Sequence, residues 1–113
     1  MLSLNSNTRV YLALGPTDLR KGFSGLYGEV KQKLKEDPVS GHYFVFCNRS
    51  KTSIKVLAWD GSGLWVCAKR LERGRFDWPD GSGSGCIRSE QLVILLNGLA
   101  PTTHRYKNWY RRK

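Results

Sequence analysis

Three runs rich in aromatic and β-branched residues follow one another through the middle of the chain. They span residues 42–47, 53–59 and 64–71, and short polar connections at 48–52 and 60–63 separate them. Such runs favour β-strands, and connections of this length suit hairpins. The pattern therefore predicts three neighbouring strands in an antiparallel meander, and it is the strongest constraint on the fold.

A further strand and a helix are predicted before the meander. Residues 8–14 alternate between apolar and other side chains, as in a strand buried on one face, and Gly15 and Pro16 end the run. Thr17 suits the N-cap of a helix that continues to about Lys35. The apolar residues of this helix fall within an arc of about 100°, so we expect a long helix packed on the sheet. They are Leu19, Phe23, Leu26, Tyr27, Val30 and Leu34.

The C-terminal part predicts smaller elements. A Gly-Ser stretch at 81–85 predicts a flexible segment, Ile87 adds a short strand, and Ser89 caps a last helix. The predicted fold is α+β, in the order β-α-β-β-β-α, with the long helix on one face of an antiparallel sheet and a short C-terminal helix. We assign residues 1–100 to a single domain and residues 101–113 to a basic, aromatic and flexible tail.

Three glycines, Gly22, Gly25 and Gly28, recur at intervals of three in the predicted helix, on the side away from its apolar stripe. Each costs about 1 kcal/mol relative to alanine in a helix interior. In one interpretation, a partner protein or a phosphate backbone approaches this bare face, and the glycines are protein-interaction candidates. In the other, the helix starts near Gly25 and the glycines belong to a loop.

The charge balance points to a polyanionic partner. The chain has 113 residues, with 19 lysines and arginines against 9 acidic residues, and a net charge of +10. This length suits a single core and excludes a multidomain enzyme. Residues 104–113 carry five cations and no acid, so half of the net charge lies in the tail. A balance of this kind is typical of proteins that bind nucleic acid.

Composition also argues against several other classes. No apolar run is longer than five residues, as at 92–96, which is far shorter than the roughly 20 residues that span a bilayer, and no signal sequence is recognisable. The three cysteines, Cys47, Cys67 and Cys86, show no CxxC spacing. We therefore expect reduced thiols, a cytoplasmic protein, and no bound metal, cofactor or small-molecule substrate.

Catalytic groups are sparse in this sequence. A metal-dependent nuclease needs two or three carboxylates that converge on divalent cations. The acidic residues here suit capping, turns and local charge pairing, and Asp18, Asp60 and Glu72 are the one set that leaves a small nuclease as an alternative. Neither histidine has a triad-like context, and no glycine motif for phosphate binding occurs. We therefore predict no catalytic residues.

The densest basic stretch inside the domain is residues 69–78, where four cations precede Phe76 and Trp78. Arginine pairs with phosphate and aromatic rings stack on bases, so one interpretation is a nucleic-acid site at the rim of the sheet. The other buries both aromatics in the core and pairs two arginines with Glu72 and Asp77. The candidates from this stretch are Lys69, Arg70, Arg73, Arg75 and Trp78.

Two further groups of cations complete the predicted nucleic-acid surface. One combines the start of the predicted helix with the first hairpin loop, although Arg20 could instead form a structural ion pair with Asp18. The other is the tail, whose interleaved cations and aromatics suit flexible contact with DNA or RNA, unless it serves only solubility. The candidates are Arg20, Lys21, Arg49, Lys51, Arg105, Lys107, Trp109, Arg111 and Arg112.

Several blocks of sequence together resemble a known family. The blocks are residues 15–23, 35–46, 59–64, 69–79 and 89–96. In their order and spacing they resemble the TnpB-type accessory protein of the insertion sequence 66 (IS66) family of transposable elements. The Gly-Ser stretch and the tail depart from the family pattern.

The resemblance implies a small bacterial protein that acts beside a larger transposase, which carries the catalytic acids. The family supplies no established catalytic or ligand residues to transfer to this chain. Taken with the charge, the resemblance predicts a non-catalytic accessory factor of transposition and DNA recombination that binds DNA, such as the transposon ends, or the transposase, or both. The alternative is a protein-interaction adaptor that makes no direct DNA contact.

Overall fold

The computed structural model describes residues 7–98 and the backbone of residues 111–112. Six strands form one sheet in the order β4-β3-β2-β1-β5-β6. The strands are β1 (Val10–Ala13), β2 (Tyr43–Cys47), β3 (Ser53–Trp59), β4 (Leu64–Arg70), β5 (Ser84–Ile87) and β6 (Arg111–Arg112). The helices are α1 (Phe23–Glu29), which continues as a π-helical segment (Val30–Leu34), and α2 (Ser89–Leu96).

The three strands of the predicted meander are confirmed, but the sheet as a whole is mixed. Strands β2, β3 and β4 pair antiparallel at the predicted positions. Strand β1, in contrast, runs parallel to β2, with Val10 beside Tyr43 and Leu12 beside Val45. A parallel pair needs a long crossover, and α1 lies within the segment that supplies it. The prediction of a wholly antiparallel sheet is therefore wrong.

Strand β1 is buried on both faces, and not on one as its alternation suggested. Val10 and Leu12 belong to a core cluster that includes residues of α2, whereas Tyr11 and Ala13 belong to a second cluster with residues of α1. A central strand covered by helices on both faces has no solvent side. The fold thus has three layers, with α1 on one face of the sheet, and α2 together with the segment around Phe76 on the other.

The first helix is shorter than predicted. It covers residues 23–34, a length of 12 residues, and Gly22 occupies its N-cap position. Thr17 is not the N-cap, because the helix begins six residues later at Phe23. The Thr17 backbone N–H instead donates to the Cys47 carbonyl at 2.8 Å and ties this segment to the end of β2. The predicted C-terminal limit is confirmed, since Lys35 ends the helix in a left-handed conformation with φ of 57°.

The Gly-Ser stretch at 81–85 is not wholly a linker. Its last two residues lie in β5 and pair antiparallel with β1. Gly81 and Gly83 have φ values of 133° and 79°, which favour glycine, so these residues permit the turn that leads into the strand. The prediction of a flexible segment is therefore wrong for the strand residues.

The short C-terminal helix is confirmed, although its N-cap is Arg88 and not Ser89. The Arg88 backbone N–H donates to Oε1 of Gln91 at 2.8 Å, which stabilises the first turn. Leu92 and Leu95 are buried against the sheet. In the part of the chain that the structure describes, no helix is long and apolar enough to cross a bilayer.

Candidate nucleic-acid interface

Three connections leave the sheet at the same end. They are the segment after β1, the β2–β3 loop and the segment after β4, because β1 and β2 are parallel and the next two strands alternate in direction. Backbone hydrogen bonds join the β2–β3 loop to the segment after β4. The Leu71 N–H donates to the Thr52 carbonyl at 2.9 Å, and the Phe76 N–H donates to the Lys51 carbonyl at 2.7 Å. This basic end contains Arg20, Lys21, Arg49, Lys51, Lys55, Arg70, Arg73 and Arg75.

The β2–β3 loop that carries Arg49 is fixed by a network of short-range hydrogen bonds. The Asn48 side chain accepts from the backbone N–H groups of Thr52 and Ser53 at 3.0 and 3.1 Å. Lys51 adopts a left-handed φ of 62°, which closes the turn. The loop therefore presents Arg49 from an ordered backbone, and the Arg49 side chain itself is exposed.

Two open grooves adjoin at the basic end. One, of about 480 Å³, is lined by Arg20 and Arg49, and the other, of about 490 Å³, is lined by Lys55 and Arg70. Leu19 lines both grooves, so the two form one continuous surface. The structure thus brings together cations that are up to 50 positions apart in the sequence.

Lys55 is a residue of this surface that sequence analysis missed. It lies within β3, is only partly exposed, and its Nζ donates to the Lys21 carbonyl at 3.2 Å. The signal was present, because Lys55 is the one charged residue in a strand that is otherwise apolar or small. Its bond fastens the chain before α1 to the sheet.

Arg20 forms the structural ion pair that was the alternative to a free DNA contact. Its Nη2 lies 2.7 Å from Oδ2 of Asp18, and its Nε donates to Oδ1 at 3.0 Å. These hydrogen bonds lower the pKa of Asp18 to about 2. Both side chains are exposed, and exposed ion pairs contribute little to stability, so a phosphate can compete for the guanidinium.

Two other cations of the basic end also have acidic neighbours. Lys51 Nζ lies 3.2 Å from Oδ1 of Asp80, and Arg70 Nε lies 3.8 Å from Oε2 of Glu72. At the basic end, the exposed arginines for which no ion pair occurs within the described residues are Arg49, Arg73 and Arg75.

Lys21 pairs with a buried carboxylate of α1, and its position explains why residue 25 is a glycine. Its Nζ lies 3.3 Å from Oε2 of Glu29, a carboxylate that is 8% exposed and that also pairs with Lys33. A Cβ built on Gly25 would lie 2.8 Å from the Cβ of Lys21, so this glycine makes room for the lysine. The same construction at Gly28 meets nothing within 4 Å.

The two glycines should therefore respond differently to alanine. We expect Gly28→Ala to raise the free energy of unfolding by up to about 1 kcal/mol, because alanine favours the helix. Gly25→Ala should give no such gain, because the new methyl displaces Lys21 and weakens its pair with Glu29. Urea denaturation of both variants measures the difference. Equal stabilisation would show that Lys21 does not need the space above Gly25.

Lys69 also lines the second groove, but its side chain contacts α2. Its Nζ donates to the Leu96 carbonyl at 2.7 Å, at the last residue of α2. A cation at a helix C-terminus satisfies an unpaired carbonyl and complements the helix dipole. Lys69 therefore stabilises α2 on the face opposite α1, and its contact with DNA stays a prediction.

Trp78 is buried, so it cannot stack on a base in this conformation. It is 6% exposed, and its Nε1–H donates to the Ala13 carbonyl at 3.2 Å inside the core. Phe76 is buried beside it in the same core cluster. Of the two interpretations of residues 69–78, the one that places the aromatics in the core is correct for these rings, and only the cations remain as candidates.

The tail candidates fall mostly outside the described residues. Arg105, Lys107 and Trp109 belong to the part of the chain about which the structure says nothing. The backbone of Arg111 and Arg112 forms β6, which pairs antiparallel with Cys86 and Gly85 of β5.

The carboxylates of the nuclease alternative do not converge. Asp18 and Glu72 lie at the basic end beside their own arginines, whereas Asp60 closes the β3–β4 hairpin at the opposite end. Asp60 accepts hydrogen bonds from the Ser62 N–H at 2.9 Å and the Trp65 Nε1–H at 2.7 Å, which lower its pKa. Within residues 7–98, no group of three histidine, cysteine or acidic side chains is arranged to hold a metal ion.

Comparison with known proteins identifies similar sequences. A family model described as IS66 Orf2 like protein matches residues 8–106. The chain is 42% identical over 110 residues to the uncharacterized protein y4hO of Sinorhizobium fredii, which covers 96% of this chain and 95% of that protein. It is 33% identical over 100 residues to the uncharacterized protein y4jC of the same organism, covering 88% and 86% respectively. No solved structure matches the chain.

Proposed function

The chain belongs to the IS66 Orf2-like family, and on that premise we propose that it is a non-catalytic accessory protein of transposition that binds DNA through its basic end. Membership of this family indicates an accessory role in the transposition of an insertion sequence. The observation that supports DNA binding is the meeting of three connections, where Arg49, Arg73 and Arg75 have no acidic partner among the described residues.

The chemistry of this surface suits a phosphate backbone better than a base. Guanidinium groups pair bidentately with phosphate, and such contacts position a protein on DNA without reading its sequence. Phe76 and Trp78 of the nearby segment are buried, so neither ring is available to stack on a base. We therefore propose binding that depends strongly on salt and weakly on sequence, to DNA that includes the transposon ends.

Fluorescence anisotropy with labelled duplex and single-stranded DNA tests the proposal. We expect micromolar binding in which log K falls with log[salt], with a slope of about −0.9 for each duplex phosphate that is neutralised. Binding without salt dependence, or no binding at micromolar protein, would refute the proposal.

The transposase of the same element is the protein partner that we propose, with the cytoplasm as the place of action. The support is the family membership and the open side of α1, where a Cβ at Gly22 or Gly28 would meet nothing within 4 Å. Co-purification of tagged wild type and Gly28→Leu with the transposase tests this contact. Equal recovery would place the contact elsewhere, and no recovery with either protein would remove the partner. Gly25 is unsuitable for this test because Lys21 occupies its surface.

A further inference from the structure

Strand β4 stands at one end of the sheet with an open edge. Among the described strands it pairs with β3 alone. Its seven residues, Leu64–Arg70, include no proline or glycine, and their register with β3 is unbroken from Leu64 opposite Trp59 to Arg70 opposite Ser53. An edge that lacks prolines and bulges is a template for a further strand.

The register identifies which backbone groups face outward. The Asp60 N–H donates to the Gly63 carbonyl, and the Leu71 N–H donates to the Thr52 carbonyl, so these positions are hydrogen-bonded pairs of the hairpin. Pairs alternate along an antiparallel ladder, so the odd-numbered residues of β4 bond to β3. The residues whose N–H and C=O groups point away from β3 are Leu64, Val66, Ala68 and Arg70.

Apolar side chains flank this edge near its start. Phe23 of α1 is 54% exposed and Trp65 of β4 is 42% exposed. Together with Leu64 and Val66 they line an open hollow of about 490 Å³. Large apolar groups exposed beside an unpaired edge are typical of an interaction surface.

We propose that β4 pairs antiparallel with β4 of a second copy of this chain, with Cys67 facing Cys67 across a two-fold axis. In this register Val66 and Ala68 of the two copies exchange main-chain hydrogen bonds. The Cys67 pair occupies a non-hydrogen-bonded position, where opposite Cα atoms are about 4.5 Å apart. The sheet becomes continuous across the axis, and the interface is the same patch on both copies.

Charge complementarity favours this occupant. In the proposed register Lys69 of one copy lies across from Trp65 of the other, and Arg70 lies across from Leu64, so no like charges face each other. Arg73 follows the end of β4 and Asp60 lies in the turn before its start, so antiparallel pairing places Arg73 of one copy and Asp60 of the other at the same end of the interface. Each basic end thus approaches an acidic turn, which offsets part of the repulsion between two positively charged chains.

The pairing has a consequence for the molecule's form. Because the two β4 strands run in opposite directions, the basic ends of the two copies point in opposite directions along the strand axis. Such a dimer would present two separate basic surfaces. The pairing itself does not depend on DNA binding, and it would stand if the basic end bound no DNA.

Light scattering coupled to size-exclusion chromatography, followed by oxidation in a glutathione buffer, tests the proposal on the wild-type protein. We expect a concentration-dependent dimer at physiological ionic strength and a disulfide-linked dimer through Cys67. Cys67→Ser should abolish the cross-link and Cys86→Ser should retain it. Cys47 does not compete, because its side chain is buried and burial raises the pKa of its thiol to about 12. A monomer at all concentrations that yields no cross-link would overturn the proposal.

A proline at an outward-facing position of β4 distinguishes a dimer that forms through this edge from one that forms through another surface. Ala68→Pro removes an N–H that points away from β3, so the hairpin ladder is retained. We expect the dimer Kd to rise at least about tenfold, because two symmetry-related hydrogen bonds are lost. Ala68→Ser keeps the N–H and is the matched control. A dimer unaffected by proline would show that another surface mediates it. If the chain is monomeric and the backbone amides of Val66 and Ala68 instead bind an extended acidic peptide, the edge serves a different partner and self-pairing is wrong.

Discussion

Phe76→Ala is expected to lower the free energy of unfolding by about 3–5 kcal/mol, the range for a large aromatic side chain removed from a core. Phe76 is 2% exposed and lies in the same core cluster as Trp78, Leu92 and Leu95. Its backbone N–H also bonds to the Lys51 carbonyl, so the main chain is fixed and cannot close the cavity freely. Urea denaturation followed by circular dichroism measures the loss.

Phe23→Ala is the matched control for this prediction. The same residue type is removed, but Phe23 is 54% exposed at the start of α1. We expect its loss to cost less than about 1 kcal/mol, because little of the ring leaves a packed environment. If Phe76→Ala were as mild as Phe23→Ala and instead weakened DNA binding, the ring would be a stacking group and its place in the core would be wrong.

Local patterns predict the part of the sheet that is built from neighbours in sequence. The runs at 42–47, 53–59 and 64–71 are strands because aromatic and β-branched residues favour them, and their short connections leave only antiparallel pairing. Strand β1 is different. Its partners come from distant segments, and Tyr11 and Ala13 do not reveal that a helix covers them. Alternation shows which residues share a face, but it does not show whether the other face is exposed.

The helix boundary illustrates the same limit. Thr17 is a favoured N-cap residue, and helical spacing continues from Leu19, so local rules start the helix there. In the structure the Thr17 N–H bonds to the Cys47 carbonyl, a contact across 30 positions that local rules do not contain. The helix begins instead after Gly22.

The candidate site depends both on local sequence patterns and on contacts between distant segments. That Arg49 and Arg73 are exposed in loops is predictable, because arginines between strands rarely enter a core. That Lys21 is directed to Glu29, and Lys69 to the Leu96 carbonyl, depends on how the helices pack. Charge counting alone therefore overestimates the number of cations that are available to a nucleic acid.

Replacing Arg49 and Arg75 together with glutamine is expected to weaken duplex binding roughly 30-fold at low salt, if each exposed contact contributes about 1 kcal/mol. The slope of log K against log[salt] should become shallower by about 2, because each lost phosphate contact contributes about 0.9. The two residues come from different loops, which the bond from the Phe76 N–H to the Lys51 carbonyl holds together. Fluorescence anisotropy at several salt concentrations gives both quantities.

A control with the same change in net charge is Arg9→Gln with Arg88→Gln, which removes two positive charges from the opposite end of the sheet, where Arg88 pairs with Glu90. Val10 lies opposite Ile87 in the β1–β5 register, so Arg9 and Arg88 are neighbours there, and both are exposed. If net charge alone attracted DNA, the two double variants would weaken binding equally and shift the slope equally. If DNA binds at the basic end, the control variant should retain most of its affinity for DNA. Equal losses would therefore refute the site even where the protein binds DNA, since non-specific attraction falls with net charge wherever the charge is removed.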